Sequence, residues 1–209
     1  IEEAPSPMSS KFPGLREEMG EAALNIVREA DYTNAGTIEF VADPETGDFY
    51  FIEMNTRLQV EHTVTEMITG LDLVEQQIRI ADDQPLEFRQ EDLTIDGHAI
   101  ECRIYAEDAD NNFRPAPGTI GAYSEPSGDG VRVDSGAREN FEITRYYDPL
   151  VAKLITHGDD RTQAIERMKS ALNDYTIEDL TTNIPMHLDV LSDQTFIDGD
   201  AHTAWLENR

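Results

Sequence analysis

The chain has 209 residues, 39% of them hydrophobic, enough to bury a core in one large domain or two small ones, which argues against disorder. Asp and Glu outnumber Lys and Arg by 43 to 16, a formal net charge of −27, and this disfavours binding nucleic acid through a basic surface. A single cysteine, Cys102, excludes an internal disulfide and a Cys-based zinc cluster and fits a reducing cytoplasm, while no run approaches membrane-spanning length.

In chain order, residues 13 to 31 read as a helix, because Leu15, Met19, Ala22, Ile26 and Ala30 recur at steps of three or four with charges between them, and Pro13 suits a first turn. GTIEFVADPETGDFYFIEMN then alternates, breaks at an Asp43 to Asp48 turn, and alternates again from Phe49 to Met54, the pattern of a β-hairpin. Gly70 stops the segment Thr63 to Thr69, and Leu71 to Ala81 reads as another helix. From about Asp82 a polar, Pro-containing stretch separates this first unit, residues 1–86, from a second, residues 87–209. The second opens with a strand at His98 to Tyr105. Short strands follow at Thr119 to Tyr123, Val131 to Val133 and Leu150 to Thr156, then helices at Arg161 to Tyr175 and Pro185 to Leu191. This mixed order makes the fold class α+β.

The hairpin carries the chemistry. With its turn centred on Thr46, Glu39 lies opposite Glu53, while Ile38 and Phe40 face Met54 and Ile52 on the other side. Like charges opposite each other are destabilising, so the pair calls for a cation between its carboxylates or solvent around them. Asn55, two residues beyond Glu53, adds a neutral oxygen, and three hard oxygen donors describe a Mg²⁺ or Mn²⁺ site shared with a nucleotide, not a zinc site. In so acidic a chain each glutamate alone reads equally as a solvated face. What distinguishes the pair is its sequel: Arg57, Gln59 and Glu61 continue at two-residue spacing, so an extended segment aims them at one side. A planar guanidinium suits a small carboxylate-like or phosphate-like anion, and a nearby carboxylate can take its proton.

The segments GTIEF, FYFIEMNTRLQVEHTVTEMITGLDLVEQQIRIA, GHAIECRIYAED, FRPAPG and YYDPLVAKLI, in this order, resemble the biotin carboxylases, ATP-grasp enzymes that carboxylate biotin at the expense of ATP. The pattern EMNxRxQVEHxVTE is specific to that family, including the biotin carboxylase parts of acetyl-CoA, propionyl-CoA and pyruvate carboxylases. The resemblance implies the C-terminal part of an ATP-grasp domain, an antiparallel sheet with helices, followed by an α+β biotin carboxylase C-terminal domain. By that resemblance Glu39, Glu53 and Asn55 hold two metal ions bridging ATP phosphates, Val41 packs against adenine, and Arg57, Gln59 and Val60 hold bicarbonate. Glu61 is the base that deprotonates bicarbonate, and Arg103 stabilises the biotin enolate. The implied partners are biotin on a carboxyl carrier domain, a carboxyltransferase subunit, and a second copy in a homodimer.

Other residues read more simply. His62 is balanced between a catalytic group and a loop hydrogen bond, Cys102 points into the core, and Arg132 and Asp148 read as ion-paired or exposed. Arg114, in NNFRPAPG, has no assigned role. A glycine-rich lid and ATP-contacting lysines are not found: Lys11 lies at a helix start and Lys153 in the second unit. With Ile1 in first place and no leader after it, the chain reads as a catalytically incomplete piece of a longer cytoplasmic protein. The alternatives are a non-catalytic interaction or assembly module, separable by an upstream start codon, and another ATP-grasp ligase, disfavoured by QVEH and ECRI together. Acids spread along the whole chain, with lysine only at Lys11, Lys153 and Lys169, match proteins adapted to concentrated salt, where screening removes self-repulsion.

Overall fold

A computed structural model describes residues 1–208. The chain divides into two compact units, Pro5–Asp96 and a second made of Ile1–Ala4 with Gly97–Arg209. By compactness the division falls after Asp96, and the first four residues join the second unit. They do so because Glu2–Ala4 is a strand paired antiparallel with His98–Tyr105, Glu2 opposite Glu101 and Ala4 opposite Ala99.

In the unit Pro5–Asp96, a short helix Pro7–Lys11 is capped by Ser6, whose hydroxyl accepts from the Met8 N–H. The helix Leu15–Glu29 starts after Gly14, which sits at φ 93°, so Pro13 lies before the helix and not in its first turn. Glycine tolerates that left-handed geometry where Pro13 could not. The hairpin pairs Thr37–Ala42 with Phe49–Asn55. Its turn is held by Asp43, whose Oδ1 accepts from the N–H groups of Glu45 and Thr46 and whose N–H donates to Asp48 O at 2.8 Å. The helices His62–Thr69 and Leu73–Ala81 follow. The first ends at Gly70 with φ 73°, and the second is capped by Asp72 Oδ1 on the Glu75 N–H at 2.8 Å.

The hairpin register holds the predicted pairs Ile38 with Met54 and Glu39 with Glu53, then slips: Phe40 faces Phe51, not Ile52. Ile52 is the extra residue of a β-bulge. The aromatic spacing accounts for it, since Phe49 and Phe51 have one parity and Met54 the other. One inserted residue lets all three share a face. The Phe40 ring accordingly meets those of Phe49 and Phe51 edge-on, at 5.3 and 6.4 Å between centroids.

The other unit is built on a four-stranded antiparallel sheet in the order Glu2–Ala4, His98–Tyr105, Leu150–Gly158, Val131–Ser135. Ile100, Cys102, Ile104 and Leu154 point from one face into a core completed by Ala164, Ile165, Met168 and Leu172 of the helix Arg161–Asp174. That helix is capped by Asp160 on the Gln163 N–H. The expected strand Thr119 to Tyr123 is two short pieces, Gly118–Thr119 and Tyr123–Ser124, pairing with different partners. A helix Ile184–Ser192 and a further turn of helix Gln194–Ile197 follow, and a short 3-10 helix Leu206–Asn208 comes after them.

Candidate active site

The hairpin places Glu39 directly across from Glu53, and the structure fills the space between them with amide donors. Asn55 Nδ2 donates to Glu39 Oε1 at 2.8 Å and to Glu53 Oε1 at 3.1 Å. Gln59 Nε2 donates to the same Glu39 oxygen at 2.7 Å. Two facing carboxylates call for positive charge or for solvent: the partial charge of the Asn55 amide serves both, that of Gln59 serves Glu39, and Glu53 is exposed. A half-turn of the Asn55 amide exchanges Nδ2 for Oδ1 and leaves a cluster of hard oxygens. The donor set therefore fits an ion such as Mg²⁺ or Mn²⁺.

Arg57 is exposed, and its guanidinium donates to Leu58 O at 3.2 Å and to Asn55 Oδ1 at 3.4 Å. The segment after Asn55 is not extended as predicted: the strand stops there and the chain bends through Thr56 and Arg57 into a turn at Val60 and Glu61. Strand alternation therefore does not align Arg57, Gln59 and Glu61. Gln59 reaches Glu39 and Arg57 reaches the Asn55 side chain, touching neither glutamate, while Glu61 becomes the N-cap residue of the helix His62–Thr69. Val60 lies half-buried just before it. Val41 is half-exposed on the hairpin, opposite Tyr50.

His62 resolves toward the loop. Its Nδ1 is 2.8 Å from Gln59 O, and its Nε2 lies 3.8 Å from Glu66 Oε2. Glu66, buried, uses its other oxygen to accept from the Leu73 N–H at 2.7 Å. This second carboxylate is a structural link between the two helices that the sequence did not single out. A Glu in the middle of one helix, facing the next helix's first turn, is the only signal it offered.

In the other unit, Arg103 lies on the sheet face opposite the hydrophobic core, where its Nη2 donates to Glu2 Oε1 at 2.8 Å. Glu101, fully buried two residues before it, and Lys153, paired across from Arg103, share that face. Arg132 makes a two-pronged contact with Asp134 at 2.7 and 2.8 Å, and Asp148 is exposed and accepts from the Leu150 N–H, both in line with structural roles. Cys102 is wholly buried, and burial pushes its thiol up to about 12, so it is inert. Arg114 is exposed in a two-residue strand beside Asp108. Among the described residues no group of three or more His, Cys, Asp or Glu side chains is arranged to hold a metal, so any ion at Glu39 and Glu53 depends on Asn55 or on oxygens from a ligand.

Comparison with known proteins bears on the family and the fold. Residues 101–208 match the family of the biotin carboxylase C-terminal domain, and residues 1–89 match the ATP-binding domain of the carbamoyl-phosphate synthase L chain. The chain is 49% identical to biotin carboxylase 1 of Bacillus subtilis, covering 99% of this chain and 46% of that protein. It is 50% identical to the biotin carboxylase of a Nostoc species, covering 99% and 46%. Among solved structures, it superposes with a TM-score of 0.95 and 47% identity on the biotin carboxylase domain of the Hydrogenobacter thermophilus 2-oxoglutarate carboxylase, a dimer in complex with MgADP and bicarbonate. That alignment covers 99% of this chain and 45% of that one. The chain thus spans less than half the length of these relatives. With both halves matched and about half of its residues identical over 99% of its length, the chain belongs to the biotin carboxylase family, as the C-terminal part of the ATP-grasp domain followed by the biotin carboxylase C-terminal domain.

Proposed function

We propose that this chain supplies the metal, bicarbonate and biotin side of a cytoplasmic biotin carboxylase serving an acyl-CoA or pyruvate carboxylase. The reaction is ATP- and bicarbonate-dependent carboxylation of biotin on a carrier domain. The observation that carries the reading is the facing pair Glu39 and Glu53, bridged by the Asn55 amide and with Gln59 bonded to Glu39. A solvated hairpin face has no need of that arrangement.

Glu39, Glu53 and Asn55 would hold Mg²⁺ or Mn²⁺, whose chemistry when bound is to neutralise charge on the ATP phosphates. Val41, half-exposed on the same hairpin, would pack against the adenine. Arg57, Gln59 and the Val60 amide would bind bicarbonate. Glu61 would take its proton, so that the resulting oxygen attacks the γ-phosphorus and ADP leaves, giving carboxyphosphate. Breakdown of carboxyphosphate gives CO₂ and phosphate. The phosphate removes the proton from biotin N1′, and the enolate attacks CO₂. Arg103, a permanent cation, would stabilise the charge on the enolate oxygen.

The remaining half of the relatives' length is needed for turnover. Among the described residues the hairpin has no third strand and exposes Tyr50, Phe51 and Ile52, and a lone hairpin is marginal in water without added strands or a helix to cover it. The purified 209-residue chain is expected to release no ADP with ATP, bicarbonate and biotin; biotin-dependent ADP release would contradict this. In the complete enzyme, Arg57→Ala should lower carboxylation by about a hundredfold or more, the usual effect of losing one anion-binding group. Its thermal melt should be unchanged, because Arg57 is exposed and contributes no core packing. Turnover like the parent's would remove Arg57 from the mechanism.

A further inference from the structure

The strand His98–Tyr105 is covered unequally on its two sides. Leu150–Gly158 pairs with it along its whole length, but Glu2–Ala4 reaches only Ala99, Ile100 and Glu101. Beyond Glu101, the backbone groups of Arg103 and Tyr105 on that edge meet no strand among the described residues, and buried backbone polar groups left bare are costly. Side chains take the place of the strand. Asn183 Oδ1 accepts from the Tyr105 N–H at 2.9 Å, and Asn183 Nδ2 donates to Arg103 O at 3.0 Å. The Asn183 N–H donates to Tyr105 O at 3.2 Å. His187, one helical turn further on, brings its Nε2 to 2.9 Å from the same Arg103 O.

Both residues are built in. Asn183 is 3% exposed and His187 2% exposed, and they are tied to each other by the His187 N–H on Asn183 O at 3.1 Å. The geometry also decides the proton. A carbonyl oxygen only accepts, so His187 Nε2 carries the hydrogen and Nδ1 is bare, and among the described residues Nδ1 has no hydrogen-bond partner. Burial lowers the His187 pKa to about 4, so the ring stays neutral near pH 7. Packing alone would be served by an apolar side chain at this place. An imidazole with one nitrogen donating and the other unused is justified by its donor.

We propose that Asn183 and His187 are positioning residues for Arg103: by giving two donors to its peptide oxygen they fix the backbone from which its guanidinium projects. The proposal rests on the enolate-stabilising role given to Arg103 above. It adds a requirement that role does not contain: an edge made of side chains must hold the strand in place where the paired strand runs out.

The test uses the complete enzyme with free biotin as substrate. His187→Leu removes the donor at similar volume, and His187→Gln restores one. His187→Leu should lower kcat for biotin carboxylation about tenfold, a modest displacement of a charge-stabilising group. The KM values for ATP and bicarbonate, and the bicarbonate-dependent ATPase without biotin, should stay within about twofold of the parent under the same argument. His187→Gln should recover most of the loss. Unchanged biotin turnover in His187→Leu, an equal fall in both activities, or a Gln variant no better than Leu would each overturn the proposal. Arg103→Ala run alongside keeps the two ideas separate. If it spares biotin turnover, the role of Arg103 is wrong, whereas a large selective loss there with none in His187→Leu sinks the positioning role alone. Should His187→Leu not fold, ring ¹⁵N shifts of the unmodified protein decide: the neutral Nε2–H tautomer is expected, and an Nδ1–H tautomer or an imidazolium at pH 7 overturns it.

Discussion

At the residue scale, Glu3 shows how an acidic chain spends its few cations. Its Oε2 accepts from Arg161 Nε at 2.6 Å and from His98 Nε2 at 2.8 Å, and its Oε1 accepts from Arg161 Nη2 at 3.1 Å. Burial acts to raise the Glu3 pKa, but the hydrogen bonds and charges of His98 and Arg161 outweigh it, and the carboxyl is held below its usual range. A depressed carboxylate stabilises the fold above its unfolded pKa, and that contribution disappears as pH falls through the folded value. Glu3→Gln should therefore lower stability at pH 7 and flatten the acid limb of a pH melt below about pH 4.5. A variant whose melt parallels the parent's down to pH 3 would remove Glu3 from the acid response. None of this is legible in the sequence, because Glu3, His98 and Arg161 are brought together only by pairing across distant segments. The Glu39 and Glu53 pair is legible, since both lie in one hairpin with a recognisable turn. Asn183 and His187 are not, because an edge replaced by side chains leaves no periodic trace.

At the element scale, the strand and helix periods place most elements, and the departures have local causes. The strand His98–Tyr105 and the start of the helix at Arg161 stand where the pattern puts them, since both are long and one-sidedly apolar. The bulge at Ile52 escapes the alternation rule, which assumes a regular ladder, and the FYF spacing that signals it is indistinguishable from ordinary alternation. The straight segment expected after Asn55 turns instead, because a helix nucleates at His62 and takes the preceding residues into its entry. Gly158 joins the longest strand to the helix Arg161–Asp174 at a place with no room for a side chain: a Cβ there would lie 2.6 Å from Ala164 N and 2.9 Å from Gln163. Gly158→Ala should accordingly destabilise the unit by about 2 kcal/mol, the usual cost of overpacking against backbone, read as a shift of the urea midpoint. No shift would mean that the strand and helix separate more easily than their packing implies.

At the scale of the whole molecule, a charge of −27 on 209 residues makes the compact state depend on what surrounds it. Ionic screening shortens the reach of repulsion from about 10 Å at 0.1 M salt to about 3 Å at 1 M. Urea or heat melts should therefore show stability rising by several kcal/mol between dilute buffer and molar KCl. A flat response would assign the acids to an ordinary acidic surface rather than to adaptation to salt. Among the described residues no helix is long and apolar enough to cross a membrane.

The first strand has a consequence for how the chain folds. Glu2–Ala4 and His98–Tyr105 are antiparallel neighbours with Ala4 opposite Ala99, so the backbone leaves the sheet after Ala4 and returns to it almost at the point of departure. Everything from Pro5 to Asp96 is threaded into what would otherwise be a simple hairpin. Closing so long a loop from an unstructured chain costs entropy that grows with the logarithm of its length, and contacts of this sequence separation form slowly. A Pro5–Asp96 unit that has already collapsed shortens the effective loop before the strand docks. The topology therefore favours an order of events. On that order, collapse of the inserted unit would precede the docking of Glu2 and Glu3 against Arg103, His98 and Arg161, and completion of the sheet and assembly of the arginine site would be one late step.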